Sequence, residues 1–285
     1  MVRPVDLWSA CAANIAGVPL ADLGDVKLHY RASGNESAPP VLGIMGFASD
    51  QRLFAGQIGV VTETHRFITF DNRGVGRSSP GASTTIDEMA NDALRLLDSL
   101  EIDRTVVFGV SMGGAIAQRL TLDHPDRVSA LVLAVTFARP IEFMRRQHAL
   151  TRAVIEAGAG DAVFEGSLIR MFTPRFFEIG KDAVDRLVDA VLSDNYADPT
   201  PPEVLLDHLE AIDKHDALSE LGRIACPTLV VGGRFDVMVP GFASEEIAAA
   251  IPGAHLEMLD SGHGLMLEEA DTFNKILGAF LTSLL

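Results

Sequence analysis

The sequence predicts an α/β protein: a mostly parallel sheet covered by helices on both faces, interrupted once by a helical insertion. Three observations carry that prediction. Short apolar runs recur at 27–31, 41–44, 67–70, 106–108, 130–134, 228–231 and 255–258. Their apolar residues are continuous rather than alternating, the pattern of strands buried on both faces. Stretches of three-four periodicity separate most of the runs, as crossover helices between parallel strands require.

Taken in order, residues 1–24 read as an N-terminal extension, and the runs at 27–31 and 41–44 as a hairpin-like pair. Beyond the run at 67–70, Ile86, Met89, Ala90, Ala93, Leu94, Leu97 and Leu100 follow the spacing of an amphipathic helix, opened by Thr84 or Thr85 as N-cap. No strand is evident between 134 and 228, where helical patterns occupy 141–157, 161–171, 181–192 and 202–213. Phe137, Phe143, Phe164, Phe172, Phe176 and Phe177 fall here, six of the chain's fifteen phenylalanines. The expected division is a core of 25–136 and 217–285 with a cap of 137–216 inserted. The cap aromatics serve a helical core, a pocket wall, or both.

Chemistry concentrates at Gly109-Val110-Ser111-Met112-Gly113, between the run at 106–108 and the small-residue stretch Gly114-Ala115-Ile116-Ala117. This is G-x-S-x-G at a strand-to-helix turn, where the glycines let a strained backbone lift the serine hydroxyl above the sheet. A serine nucleophile needs a base, and the base needs an orienting acid. Downstream, Asp236 ends Gly232-Gly233-Arg234-Phe235-Asp236 after the run at 228–231. His263 stands between Gly262 and Gly264 after the run at 255–258. Both therefore fall at carboxyl ends of successive strands, where sites of parallel sheets gather. Asp260, three residues before His263, is the weaker candidate acid. An oxyanion hole would combine the N–H of Met112 with that of Phe47, in the loop Met45-Gly46-Phe47 after the run at 41–44.

These segments, with Phe70-Asp71-Asn72-Arg73-Gly74-Val75-Gly76-Arg77-Ser78, carry a resemblance. The chain resembles the α/β-hydrolase superfamily, specifically its branch of small esterases and lactonases, which includes 3-oxoadipate enol-lactonases and aclacinomycin methylesterases. That resemblance implies an eight-stranded-type sheet, Ser111 as nucleophile, His263 as base, Asp236 as acid and a helical cap above them. Many relatives have His-Gly where this chain has Met45-Gly46, so the polarity of the oxyanion loop is expected to differ. The stretch from Gly74 to Ser79 lacks the third glycine of a dinucleotide fingerprint and the lysine of a P-loop. It is read as a structural turn.

Bulk properties narrow the substrate. The formal charge is −16, from 39 acidic against 23 basic residues. It argues against nucleic acid and anionic membranes as partners and disfavours anionic substrates. Met45, Met238 and Met266 near the catalytic loops, with Phe137, Met144, Phe172 and Phe177 in the cap, suggest an apolar, adaptable pocket. A neutral, moderately hydrophobic ester or lactone is the expected small-molecule substrate. Cleavage of a C–C bond in a β-diketone or dienoic acid, and a ligand receptor retaining the fold, remain as alternatives. No metal or cofactor is expected, because no zinc-type Cys/His spacing and no H-E-x-x-H occurs. Two cysteines without C-x-x-C spacing, and no evident leader, fit a cytoplasmic protein. A homodimer is compatible with everything above.

Overall fold

The computed structural model describes residues 19–179 and 200–285. Most of the predicted N-terminal extension and the helix expected at 181–192 lie outside them, as do Cys11 and the side chain of Phe164. In chain order the strands are β1 (Leu20–Asp22), β2 (Lys27–Ser33), β3 (Pro40–Ile44), β4 (Arg66–Phe70), β5 (Thr105–Val110), β6 (Val128–Ala134), β7 (Thr228–Gly233) and β8 (His255–Leu259). The helices are α1 (Ala55–Thr62), α2 (Ile86–Ser99), α3 (Met112–Asp123), α4 (Glu142–Glu156), α5 (Gly160–Met171), α6 (Pro174–Ile179), α7 (Pro202–Lys214), α8 (Phe242–Ala250), α9 (Leu265–Glu268) and α10 (Ala270–Thr282).

The eight strands form one sheet in the order β1-β2-β4-β3-β5-β6-β7-β8, antiparallel at β1–β2 and β2–β4 and parallel elsewhere. Two sequence expectations change here. The runs at 27–31 and 41–44 do not form a hairpin, because β4 lies between them: Tyr30 pairs with Phe70, and Ile44 pairs with Phe70 on its other edge. The crossover through α1 makes β3–β4 parallel and places β4 where it can also meet β2. The true hairpin is β1–β2, with Leu20 opposite His29. β1 falls inside the stretch assigned to the extension, since three residues are too few for a periodic signal.

The period-2 geometry of the strands feeds two cores. Leu42, Ile68, Val107, Leu131 and Val230 point to the face covered by α2, α3 and α8. Val41, Phe67, Val106, Phe108, Val132 and Val231 point to the face covered by α1 and α10. Thr85 caps α2, its hydroxyl accepting the Glu88 N–H at 3.0 Å. The segment after β4 is a braced turn. The Asp71 carboxylate accepts the N–H groups of Gln51 and Arg77, and Ser78 donates its hydroxyl to the Asp71 carbonyl at 2.7 Å. The buried Arg73 guanidinium meets Asp92 at 2.7 Å. Between β6 and β7 the described residues form helices α4 to α7, and the Met171 carbonyl at the end of α5 accepts the N–H of Gly264, in the loop after β8, at 2.7 Å.

Candidate active site

One residue separates β5 from α3, and the sharpness of that junction determines the conformation of Ser111. Its backbone sits at φ 54°, ψ −122°, a region that costs about 1–3 kcal/mol for a residue with a side chain. The surroundings hold it there. The Ser111 N–H donates to the Ala134 carbonyl at 2.9 Å, while its carbonyl accepts the Gly114 N–H at 2.9 Å and the Thr136 hydroxyl at 2.6 Å. A Cβ on Gly113 would collide with the Ile44 carbonyl, and one on Gly109 with the backbone of Gly113. Glycine at both positions is what lets the strand, the helix and the β3 loop converge on the serine.

Three sequence-predicted residues meet at this point. His263 Nε2 lies 3.0 Å from Ser111 Oγ, and His263 Nδ1 lies 2.7 Å from Asp236 Oδ2. The other Asp236 oxygen accepts the N–H groups of Met238 at 2.7 Å and Val239 at 2.9 Å. With its side chain wholly buried, this carboxylate has every strong partner supplied by the protein. A carboxylate in this position favours the tautomer with the proton on Nδ1, which would turn Nε2 as an acceptor toward the serine hydroxyl. Asp260 is elsewhere: 73 % exposed, it pairs with Arg234 at 2.8 Å on the surface.

The oxyanion side is built from the β3 loop. Gly46 packs directly on the serine, since a Cβ there would lie 3.0 Å from Ser111 Cβ. The amides of Phe47 and Met112 donate to no protein acceptor among the described residues. Met112 follows the serine in sequence, and Phe47 follows the Gly46 that packs against it. Asn72 braces this loop by donating its amide to the Met45 carbonyl at 2.8 Å. The ring of His208 meets that of Phe47 edge-on at 6.5 Å. Below the loop, burial and the neighbouring Asp71 carboxylate push the Asp50 carboxyl upward in pKa, against the opposing pull of Arg52.

The residues expected to line a pocket do not share one environment. Met45 and Met266 belong to the core facing α1 and α10, and Phe137 and Met144 to the opposite core. Phe137 packs edge-on against His215 at 6.1 Å. Phe172 is buried and stacks on Phe176 at 4.7 Å, with Phe177 against its edge and Leu267 of α9 alongside. Met238 is half-buried on the acid loop, where Gln147 of α4 donates to its carbonyl. Thr136 and Asn72 brace the backbone around Ser111, and Glu268 braces that around His263; the sequence assigns a role to none of the three. Among the described residues no group of His, Cys, Asp and Glu could hold a metal ion, and no helix is long and apolar enough to cross a membrane.

A sheet in this order, carrying a nucleophile elbow after its central strand, defines a class of enzyme fold. The chain belongs to the alpha/beta hydrolase fold family, whose model matches residues 39–270. It is 28% identical over 269 residues to a putative carbamate hydrolase, RutD, of Azorhizobium caulinodans, covering 92% of this chain and 98% of that one. It is also 28% identical over 258 residues to 3-oxoadipate enol-lactonase 2 of Acinetobacter baylyi, covering 90% and 94%. Among solved structures, the enol-lactonase of Burkholderia xenovorans LB400 superposes with a TM-score of 0.85 at 30% identity, covering 93% of this chain and all of that one.

Proposed function

We propose that the chain is a cofactor-independent serine hydrolase that cleaves a carboxylic ester or lactone of a neutral, moderately hydrophobic small molecule. The observation that carries this reading is the continuous relay from Ser111 Oγ through His263 to Asp236, with contacts of 3.0 and 2.7 Å. His263 Nε2 takes the hydroxyl proton as Ser111 attacks the carbonyl, and Asp236 stabilises the imidazolium that forms. The Phe47 and Met112 amides receive the oxyanion. His263 then gives its proton to the leaving alkoxide or enolate, and the same histidine activates a water that releases the acyl group. Similarity to enol-lactonases supports the bond type. Similarity to a carbamate hydrolase adds a carbamate carbonyl as a second reading, reached by the same steps with a different leaving group. The half-buried side chains of Phe47, next to the Gly46 that packs on Ser111, and of Met238, on the Asp236 loop, support a hydrophobic substrate, and the acidic chain disfavours an anionic one.

The test is covalent labelling with an organophosphonate followed by a turnover panel of p-nitrophenyl esters, lactones, carbamates and a β-diketone. Labelling is expected at Ser111 alone, with Ser111→Ala losing several orders of magnitude in kcat. Labelling at another serine removes the reading. Fast ester or lactone turnover sustains it, and turnover limited to carbamates selects the second reading. Diketone cleavage alone would mark a C–C hydrolase, and tight binding without turnover a receptor.

A further inference from the structure

The loop that presents His263 is held on both sides of the histidine, and both holds lead into the cap. The N–H of Gly264 donates to the Met171 carbonyl, at the end of α5, at 2.7 Å. The N–H of Gly262 donates to Glu268 Oε2 at 3.1 Å. The same Glu268 oxygen accepts the Thr173 N–H at 3.2 Å, and its other oxygen accepts the Thr173 hydroxyl. Glu268 is itself tied back, its N–H donating to the Gly264 carbonyl at 3.0 Å. A single carboxylate therefore joins the histidine loop to the α5–α6 corner of the cap.

The fit leaves no slack. A Cβ on Gly262 would lie 2.6 Å from the Met171 carbonyl oxygen, and one on Gly264 would strike the ring of Phe172. Thr173 is 8 % exposed and Phe172 2 %, so the bonds are shielded from water and compete poorly with it. Apolar packing of Leu267 against Phe172 and its neighbours closes the same seam.

We infer that Glu268 is a positioning residue for His263, clasping the histidine loop to the cap corner so that this corner cannot lift without releasing the base. The inference rests on His263 acting as the base of the proposed reaction. Its physical reason is leverage: Nε2 must stay within hydrogen-bond reach of Ser111 Oγ, and a misplacement of about 1 Å costs on the order of 100-fold in rate. Three donors converge on Glu268, and losing the carboxylate frees the Gly262 amide and Thr173 together.

The experiment is steady-state kinetics and phosphonate labelling of Glu268→Ala, Glu268→Gln, Thr173→Val and Thr173→Ser, each rate taken per folded protein and well below its Tm. Glu268→Ala is expected to lower kcat and the labelling rate of Ser111 by about 100-fold, with KM changed less than about threefold. Thr173→Val should show a smaller loss of the same kind, and Thr173→Ser, which keeps the hydroxyl, should restore the wild-type rate. Combining Glu268→Ala with Thr173→Val should add little to Glu268→Ala, because one clasp is broken twice. A lowered Tm with unchanged kcat and labelling would reduce Glu268 to a structural tie and overturn the inference, as would a change confined to KM or full additivity. If Glu268→Ala does not fold, Glu268→Gln and the Thr173 pair decide the matter. His263→Ala serves as the control: full labelling in that variant would remove the proposed base itself, a result distinct from failure of the clasp.

Discussion

All six residues of β5 are buried, whereas only Met144, Thr151 and Ile155 are buried in the fifteen-residue α4. The strand leads into Ser111 at the sharp junction with α3 and is buried along its whole length. Helix α4 buries Met144 in the core and adds polar ties: His148 to Asp213 at 2.6 Å, Arg145 to the Asp213 carbonyl at 2.8 Å, and Gln147 to the Val237 carbonyl at 3.0 Å. The difference teaches how one fold divides its labour. The junction at Ser111 is secured by close backbone packing that leaves Gly109 and Gly113 no room for a side chain. The α4 helix is attached through side-chain contacts, which constrain its sequence less.

The largest expected effect tests the rigid side. Asp236→Asn should keep the fold but lower kcat by about 10⁴-fold, because the amide favours the wrong tautomer of His263. Asp260→Asn, altering an exposed pair, should stay within about twofold. Steady-state kinetics of both variants decides, and a reversal would reassign the acid while leaving the serine mechanism intact.

Acid probes the seam between the two regions. Burial lowers His208, on α7, and His215, just past its end, to about 4 from 6.5. Between those values the unfolded chain binds the proton that the folded one refuses, so stability rises with pH there. Above about pH 6.5 the penalty is absent, and it grows as pH falls towards 4. Each histidine is then worth about 3 kcal/mol at most. Denaturant titrations from pH 7 to 4 should show this loss, and His208→Gln and His215→Gln should each flatten the slope. An unchanged slope in both variants would place the acid sensitivity elsewhere.

Two glycines give the finest contrast. Gly113→Ala should destabilise by about 1–3 kcal/mol, because its Cβ has no room beside the β3 carbonyl. Gly166→Ala, inside α5 with nothing within 4 Å, should instead stabilise by about 0.5–1 kcal/mol through helix propensity. Chemical denaturation measures both. Equal effects would mean the cap is packed as tightly as the elbow.

The parts of the candidate site that show in the sequence are those whose determinants are contiguous. The glycines around Ser111 reveal a tight strand–helix junction, and the flanking glycines of His263 a loop that must pass close to other backbone. The separation of Asp236 from Asp260 was also legible, since one ends a glycine-rich turn after a strand while the other precedes a histidine by only three residues. Pocket membership was not. Phe172 and Phe177 have the composition of a pocket wall but pack into the seam against α9, because an apolar side chain carries no mark of which surface it will cover.

By itself the sequence predicted the α/β class, seven of the eight strands with helices between them, an N-cap at Thr84 or Thr85, and Ser111, His263 and Asp236 as residues to be brought together. Those follow from periodicity and turn chemistry, which operate within a few residues. Tertiary structure alone decided that β4 inserts between β2 and β3, that Thr136 and Asn72 brace the loops around Ser111, and that Glu268 reaches Thr173 across 95 positions of chain. Each of those contacts joins a side chain or strand edge to a partner with no fixed spacing in sequence. Only the closed sheet and the seated cap bring such partners within hydrogen-bond range.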